Sequence, residues 1–238
     1  MYVCIVHRSG STGGKRGRSL ASPGTNMRGH LLYDGVFMYK DILDDRQATR
    51  LYGKLMSLQY DGIQNPDARR FQSDKYILYG HVAKYLRENV EDRFFRNLME
   101  NIFENMDPEV LAVAGPDPTA VGGRGLYSLG GCCQQRCHHD CNSTLKQSKC
   151  YLSILISVDD TTNWMSCHLD RLISIPRKSM LVFRGDIDHA GGPYAPECSN
   201  YRFFCNIVPR KIAVEMSKRA QYDTEVLPYC SCKHNKRS

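Results

Sequence analysis

Two short segments and one arginine carry the residue types that can assemble a redox metal centre. Gln135-Arg136-Cys137-His138-His139-Asp140 puts a histidine and a carboxylate two residues apart, and Arg184-Gly185-Asp186-Ile187-Asp188-His189-Ala190-Gly191 supplies a second histidine. Two histidines and one carboxylate can occupy one face of an octahedral Fe(II) and leave the opposite face open. Arg202 follows in Asn200-Tyr201-Arg202-Phe203-Phe204 and can hold an anion at those open positions. Its guanidinium suits a carboxylate because the fork makes two parallel charge-assisted bonds. Asn206 lies four residues on, so in a strand it shares a face with Arg202 and can support the same anion.

His138 and Asp140 aim into one mouth only if they sit on a strand, where alternate side chains share a face. After Pro118 the chain breaks into short β-branched or aromatic segments separated by Gly, Pro or Asp. Leu126–Leu129, Tyr151–Val158, Trp164–Leu169, Ser179–Phe183 and Tyr201–Val208 read as strands, with His189 in a Gly-rich turn after one of them. The first half reads as helical. Asp44 with Gln47 three residues on is a capping-box variant. Ala48, Leu51, Tyr52, Leu55 and Met56 follow at helical spacing. A loop is expected around Asp61-Gly62 and Asn65-Pro66. A second helical stretch runs from Ser73 to about Met106, with a break near Glu88–Val90 and an end at Asp107-Pro108. Helices followed by a run of strands make an α+β chain whose second half is a β sandwich or barrel.

The 238 residues, 42% hydrophobic and 24% charged, allow one domain with a sizeable core. The net charge of +7 sits at the ends, since residues 1–33 carry five Lys/Arg and no acid. The chain therefore divides into a flexible basic leader (1–33), a central domain (34–210, helical over 41–106 and β over 120–210) and a basic cysteine-containing tail (211–238). No apolar run reaches the roughly 20 residues that span a bilayer, and no signal-peptide core is present, so an intracellular, cytoplasmic protein is expected. The Arg/Ser-rich leader leaves organelle targeting open. Basic tails are the only feature suited to nucleic acid, because the central domain is near neutral.

The Gln-x-x-His-x-Asp segment, the strand Leu152–Asp160, the run Val182–Asp186 leading to His189-Ala190-Gly191, and Arg202 together resemble the Fe(II)- and 2-oxoglutarate-dependent oxygenases of the phytanoyl/prolyl-hydroxylase type. The resemblance spans roughly residues 35–210 and is clear from 125 on. It implies a double-stranded β-helix (jelly-roll) barrel with the N-terminal helices packed on one side. It makes His138, Asp140 and His189 the iron ligands and Arg202 the partner of the distal carboxylate of 2-oxoglutarate, with O2 as co-substrate. Tyr151, Ser153 or Ser157 from the central strand can complete that site. The implied reaction couples oxidative decarboxylation of 2-oxoglutarate to oxidation of a substrate, a protein side chain or a small molecule. The nucleic-acid repair branch carries a second arginine that the Arg202 strand lacks.

Eleven cysteines, an odd number, with no signal peptide argue against a disulfide framework. Cys133, Cys137, His139 and Cys141 fall on the strand face opposite His138 and Asp140. A zinc ion there, with Cys230-x-Cys232-x-His234, would be additional to the iron, although the spacings match no standard Cys-x-x-Cys pair. Two competing functions follow: a non-catalytic metal-binding or sensing jelly roll, and a structural Cys/His zinc protein. Asp186 and Asp188 can orient the His189 ring, and Trp164 can line a pocket or pack in the core.

Overall fold

A computed structural model describes residues 31, 34–58, 94–140 and 151–213, and the backbone alone of 5–6, 60–65, 70–73 and 90–93. The capping box at Asp44 forms: its carboxylate accepts the Gln47 amide at 2.7 Å, and Gln47 Oε1 accepts the Asp44 amide at 2.9 Å. Helix α1 (Asp45–Met56) follows and buries Ala48, Leu51 and Leu55 along one stripe. Helix α2 (Val90–Asn105) buries Phe95, Leu98, Met99 and Ile102 at the same period. Pro108, expected as a terminator, instead opens a short helix α3 (Pro108–Val113), where its missing N–H costs nothing.

The strands are β1 (Ile5–Val6), β2 (Val36–Tyr39), β3 (Tyr60–Asn65), β4 (Arg70–Ser73), β5 (Pro118–Ser128), β6 (Leu152–Ser157), β7 (Thr161–Ser166), β8 (Arg171–Pro176), β9 (Met180–Arg184), β10 (His189–Gly191) and β11 (Asn200–Pro209). They form an eight-stranded sheet in the order β1-β2-β9-β6-β11-β5-β4-β3 and a three-stranded sheet β10-β7-β8. Among the described residues, only the β1–β2 pair is parallel.

The alternation of strand side chains splits the large sheet into two apolar faces. Phe37, Ile154, Ile156, Val182, Phe203 and Ile207 face the helices, with Phe95 stacked on Phe203 at 5.3 Å between centroids. Met38, Leu155, Leu181, Phe183 and Phe204 face the small sheet and meet Trp164, Ile173 and Ile175 there. Helices on one side of two facing β layers is the α+β, double-stranded β-helix arrangement that the resemblance implies.

Several expectations change. The Asp61–Pro66 turn signals fall in and beside a hairpin, β3–β4, that extends the large sheet. The expected helix from Ser73 keeps only its second half among the described residues, since Ser73 ends β4. Strand β5 runs eleven residues and takes in Gly122, Gly123 and Gly125, where a strand was expected only from Leu126. Strand β8 was not anticipated. Leu31 is already fully buried, and Ala213 packs beside Val121 and Val208. Apart from the backbone of Ile5–Val6, which pairs with β2, the remaining leader and the tail lie outside the described residues, as do Cys141, Cys230, Cys232 and His234.

Candidate metal and co-substrate site

His138 and Asp140 lie on an extended segment, not a regular strand, that runs antiparallel to β10. His138 and His189 exchange backbone hydrogen bonds at 2.9 and 3.0 Å, and the Asp140 amide donates to Gly185 O at 3.1 Å. Gln135 closes the other end, donating its amide to Gly191 O and accepting the Gly191 amide on its side chain. His189 itself sits on β10 and not in a turn. The pairing brings one ligand atom from each of His138, Asp140 and His189 within 4.8 Å of one another.

The tautomers suit metal ligation. His138 Nδ1 lies 2.9 Å from Arg136 O and His189 Nδ1 3.1 Å from Ile187 O. Each carbonyl accepts an Nδ1–H, which leaves Nε2 as the nitrogen able to bind a metal. His189 Nε2 is 3.5 Å from Asp140 Oδ1, and Ser153 donates a hydrogen bond to Asp140 Oδ2. Ser153 Oγ also lies 3.1 Å from the side-chain Oδ1 of Asn206. The ring of His189 is held between Phe183, 4.7 Å away, and Trp164, 5.7 Å away and nearly parallel at 14°. Asp186 and Asp188 do not orient it: Asp186 makes a two-point pair with Arg184, and Asp188 pairs with His139 at 2.7 Å. Ile187 does, through its carbonyl, and Gly35 at φ +74° leaves room for Ile187, since a Cβ there would come within 2.7 Å of its Cγ2.

The three candidate ligand residues differ in proton affinity. Burial, then the charge of His189, pushes the pKa of His138 down to about 4. Burial disfavours charge on Asp140, but the charge and hydrogen bond of His189, with His138 and Ser153, outweigh it and hold the carboxyl far below its usual range. Burial also opposes charge on His189, yet the Asp140 carboxylate raises its pKa overall. The His189–Asp140 pair therefore stabilises the metal-free fold fully between 3.8 and 6.5; this is lost as pH rises through the raised pKa of His189 and as it falls toward the lowered pKa of Asp140. A metal must displace that one proton. At about pH 6, metal binding is expected to release one proton, and affinity should rise roughly tenfold per pH unit until His189 is neutral. Calorimetry of Ni(II) binding in two buffers of different ionisation enthalpy measures the count. Release of none, or of two, contradicts the assignment.

Arg202 occupies the other end of the same interior face. It is 5% exposed, and its Nη1 donates to Ser128 Oγ at 2.8 Å and to Asn200 Oδ1 at 3.3 Å. Asn200 is fixed by Thr161 O and Thr162 Oγ1. No carboxylate among the described residues forms an ion pair with Arg202; the nearby Asp159 accepts the Tyr201 amide. Register places Arg202 opposite Ser157 and Asn206 opposite Ser153. Asn206 thus stands at the metal end, about 13 Å along the strand from Arg202. Sequence reasoning missed Ser128 and Asn200, although Asn200 is two residues from Arg202 and so shares its face. It also missed Arg124, which lies opposite Phe204 on β5 with its guanidinium 4.6 Å from that ring.

Among the cysteines, Cys137 is disulfide-bonded to Cys167, with Cα atoms 6.3 Å apart. This contradicts the expectation of free thiols and removes Cys137 from any zinc set; His139 is held by Asp188. The bond ties the residue before His138 to the β7–β8 turn, whose Cys167 amide donates to Asp188 O next to His189. For a sequence separation of 30, chain entropy assigns the cross-link roughly 3–4 kcal/mol. Cys167→Ser is expected to lower the melting temperature correspondingly, and non-reducing peptide mapping should recover the 137–167 link from the unmodified protein. An alkylatable Cys137 without prior reduction would contradict it.

At the level of sequence, no family model and no curated protein matches. The fold does match solved structures. HygX from Streptomyces hygroscopicus, crystallised with nickel and 2-oxoglutarate bound, aligns at a TM-score of 0.53 and 12% identity over 78% of this chain and 87% of its own. A Pseudomonas putida prolyl-4-hydroxylase aligns at 0.54 and 10% identity over 77% and 97%. A Trichoplax adhaerens prolyl hydroxylase, in complex with a hypoxia-inducible-factor peptide, aligns at 0.54 and 12% identity over 79% and 90%. The chain has the fold of the Fe(II)- and 2-oxoglutarate-dependent oxygenases. Among the described residues, no helix is long and apolar enough to cross a membrane.

Proposed function

We propose that the protein is an Fe(II)- and 2-oxoglutarate-dependent oxygenase that hydroxylates its substrate. The observation that carries this is the pairing of the His138–Asp140–His189 triad with a buried Arg202 that has no carboxylate partner among the described residues. A buried guanidinium without a counter-charge is costly, and an anion beside it repays that cost. The residues therefore fit both groups. His138, Asp140 and His189 hold the metal on one face, and Arg202 binds the distal carboxylate of 2-oxoglutarate. The chain's apolar middle level, Leu155 and Phe204, suits the methylenes between.

Bound Fe(II) supplies the chemistry that splits O2 against the keto acid, so that 2-oxoglutarate, O2 and a substrate C–H yield succinate, CO2 and a C–OH. The chain's own contribution is placement. Ser153, steadied by Asn206, fixes the Asp140 carboxylate, and the two Nδ1–H bonds fix the imidazoles. The apolar walls exclude water from the reacting end. A polypeptide side chain is the substrate class we favour, in line with the peptide-bound hydroxylase among the similar structures. The near-neutral central domain gives little to hold a nucleic-acid backbone. Incubation with Fe(II), 2-oxoglutarate and O2 tests the reading. Iron-dependent succinate formation supports it, and conversion that proceeds equally without iron or with His189→Ala refutes it.

A further inference from the structure

Trp164 is 2% exposed, and its indole Nε1–H makes no hydrogen bond among the described residues. Buried donors in folded proteins almost always have a partner, so this one calls for an acceptor. Its position narrows the choice. Trp164 is central on the inward face of β7, between Thr162 and Ser166. Thr162 is bonded to Asn200, which accepts from Arg202, and Ser166 stands opposite His189. Trp164 is therefore about 7 Å, two strand residues, from each end of the span that joins Arg202 to the metal triad. The indole lies nearly parallel to the His189 ring, and its N–H lies in its own plane, so stacking leaves that edge available. The side chains packed with it from the facing strands, Leu155, Phe183 and Phe204, contain no acceptor.

We propose that the Trp164 indole N–H donates a hydrogen bond to a carboxylate oxygen of the acid bound between the metal triad and Arg202, and so positions that acid against the metal. This rests on the oxygenase reading above. Trp164 is a positioning residue that senses the co-substrate directly.

The chain has one tryptophan, so the full-length, 15N-labelled protein gives a single indole N–H resonance. The protein is loaded with Zn(II) as a diamagnetic stand-in and titrated with 2-oxoglutarate. The indole proton is expected to move downfield at saturation, the signature of a new hydrogen bond to a charged acceptor. Calorimetry on Trp164→Phe should show 2-oxoglutarate affinity lowered by about tenfold to a hundredfold with Zn(II) affinity unchanged, the range for losing one bond to a charged group. Should that variant fail to fold, the resonance of the intact protein decides alone. An unmoved resonance while calorimetry shows 2-oxoglutarate bound overturns this inference and leaves the oxygenase reading standing. No 2-oxoglutarate binding to the metal-loaded protein overturns both.

Discussion

Asp140→Ala, His138→Ala and His189→Ala are each expected to lose divalent-metal affinity by more than about a hundredfold and to abolish turnover. Loss of an outer partner costs roughly ten- to a hundredfold, and a direct ligand counts for more. Ser153→Ala provides the internal scale, because its hydroxyl touches Asp140 and not the metal face. It should fall within that lower range. The helix-facing core does not involve these residues, so the folded state should persist. Ni(II) calorimetry and thermal melts on the four variants measure both properties. Wild-type metal affinity in any one of the three ligand variants would mean that the triad is misassigned.

Arg202→Ala is expected to spare metal affinity and to weaken 2-oxoglutarate binding by about two to three orders of magnitude. Stranding one member of a buried charge pair costs roughly 3–5 kcal/mol, and each 1.4 kcal/mol is tenfold. Arg202→Lys should retain part of the affinity, since the charge remains but the fork is lost. Two other bases near the strand ends cannot readily substitute: Arg184 is paired with Asp186, and Arg210 with Asp117. Separate titrations of metal and 2-oxoglutarate into each variant make the comparison. Unchanged 2-oxoglutarate affinity in Arg202→Ala would place the anion elsewhere, with Arg124 the next base to test.

The candidate triad could be picked out because strand parity is local: residues 138 and 140 share a face in any extended backbone. Its support was not, because it comes from contacts distant in sequence. Ser153 meets Asp140 only once β6 is aligned, and no pattern within Leu152–Val158 separates Ser153 from Ser157. Ile187 orients His189 through a carbonyl, which carries no side-chain signature, whereas the nearby carboxylates that looked suited to the task are taken by Arg184 and His139. Strand β5 was obscured by Gly122, Gly123 and Gly125. The register against β11 slips there, Phe204 facing Arg124 and Asn206 facing Val121, and glycine accommodates such a bulge. Strand β8 alternates as a half-exposed strand should, with Ile173 and Ile175 inward, but the proline that forms its last residue argued against a strand there. The disulfide was discounted from compartment reasoning, although it joins the residue before His138 to the turn after the strand that pairs with His189.

The most direct test of the central claim is anaerobic addition of Fe(II) and then 2-oxoglutarate to the purified protein, followed by visible absorption. The account requires a metal-to-ligand band of an iron–keto-acid chelate, saturating at one equivalent of each, absent in His189→Ala and requiring far more 2-oxoglutarate in Arg202→Ala. A protein that binds Fe(II) without developing that band at any 2-oxoglutarate concentration, or that develops it equally in His189→Ala, would contradict the account.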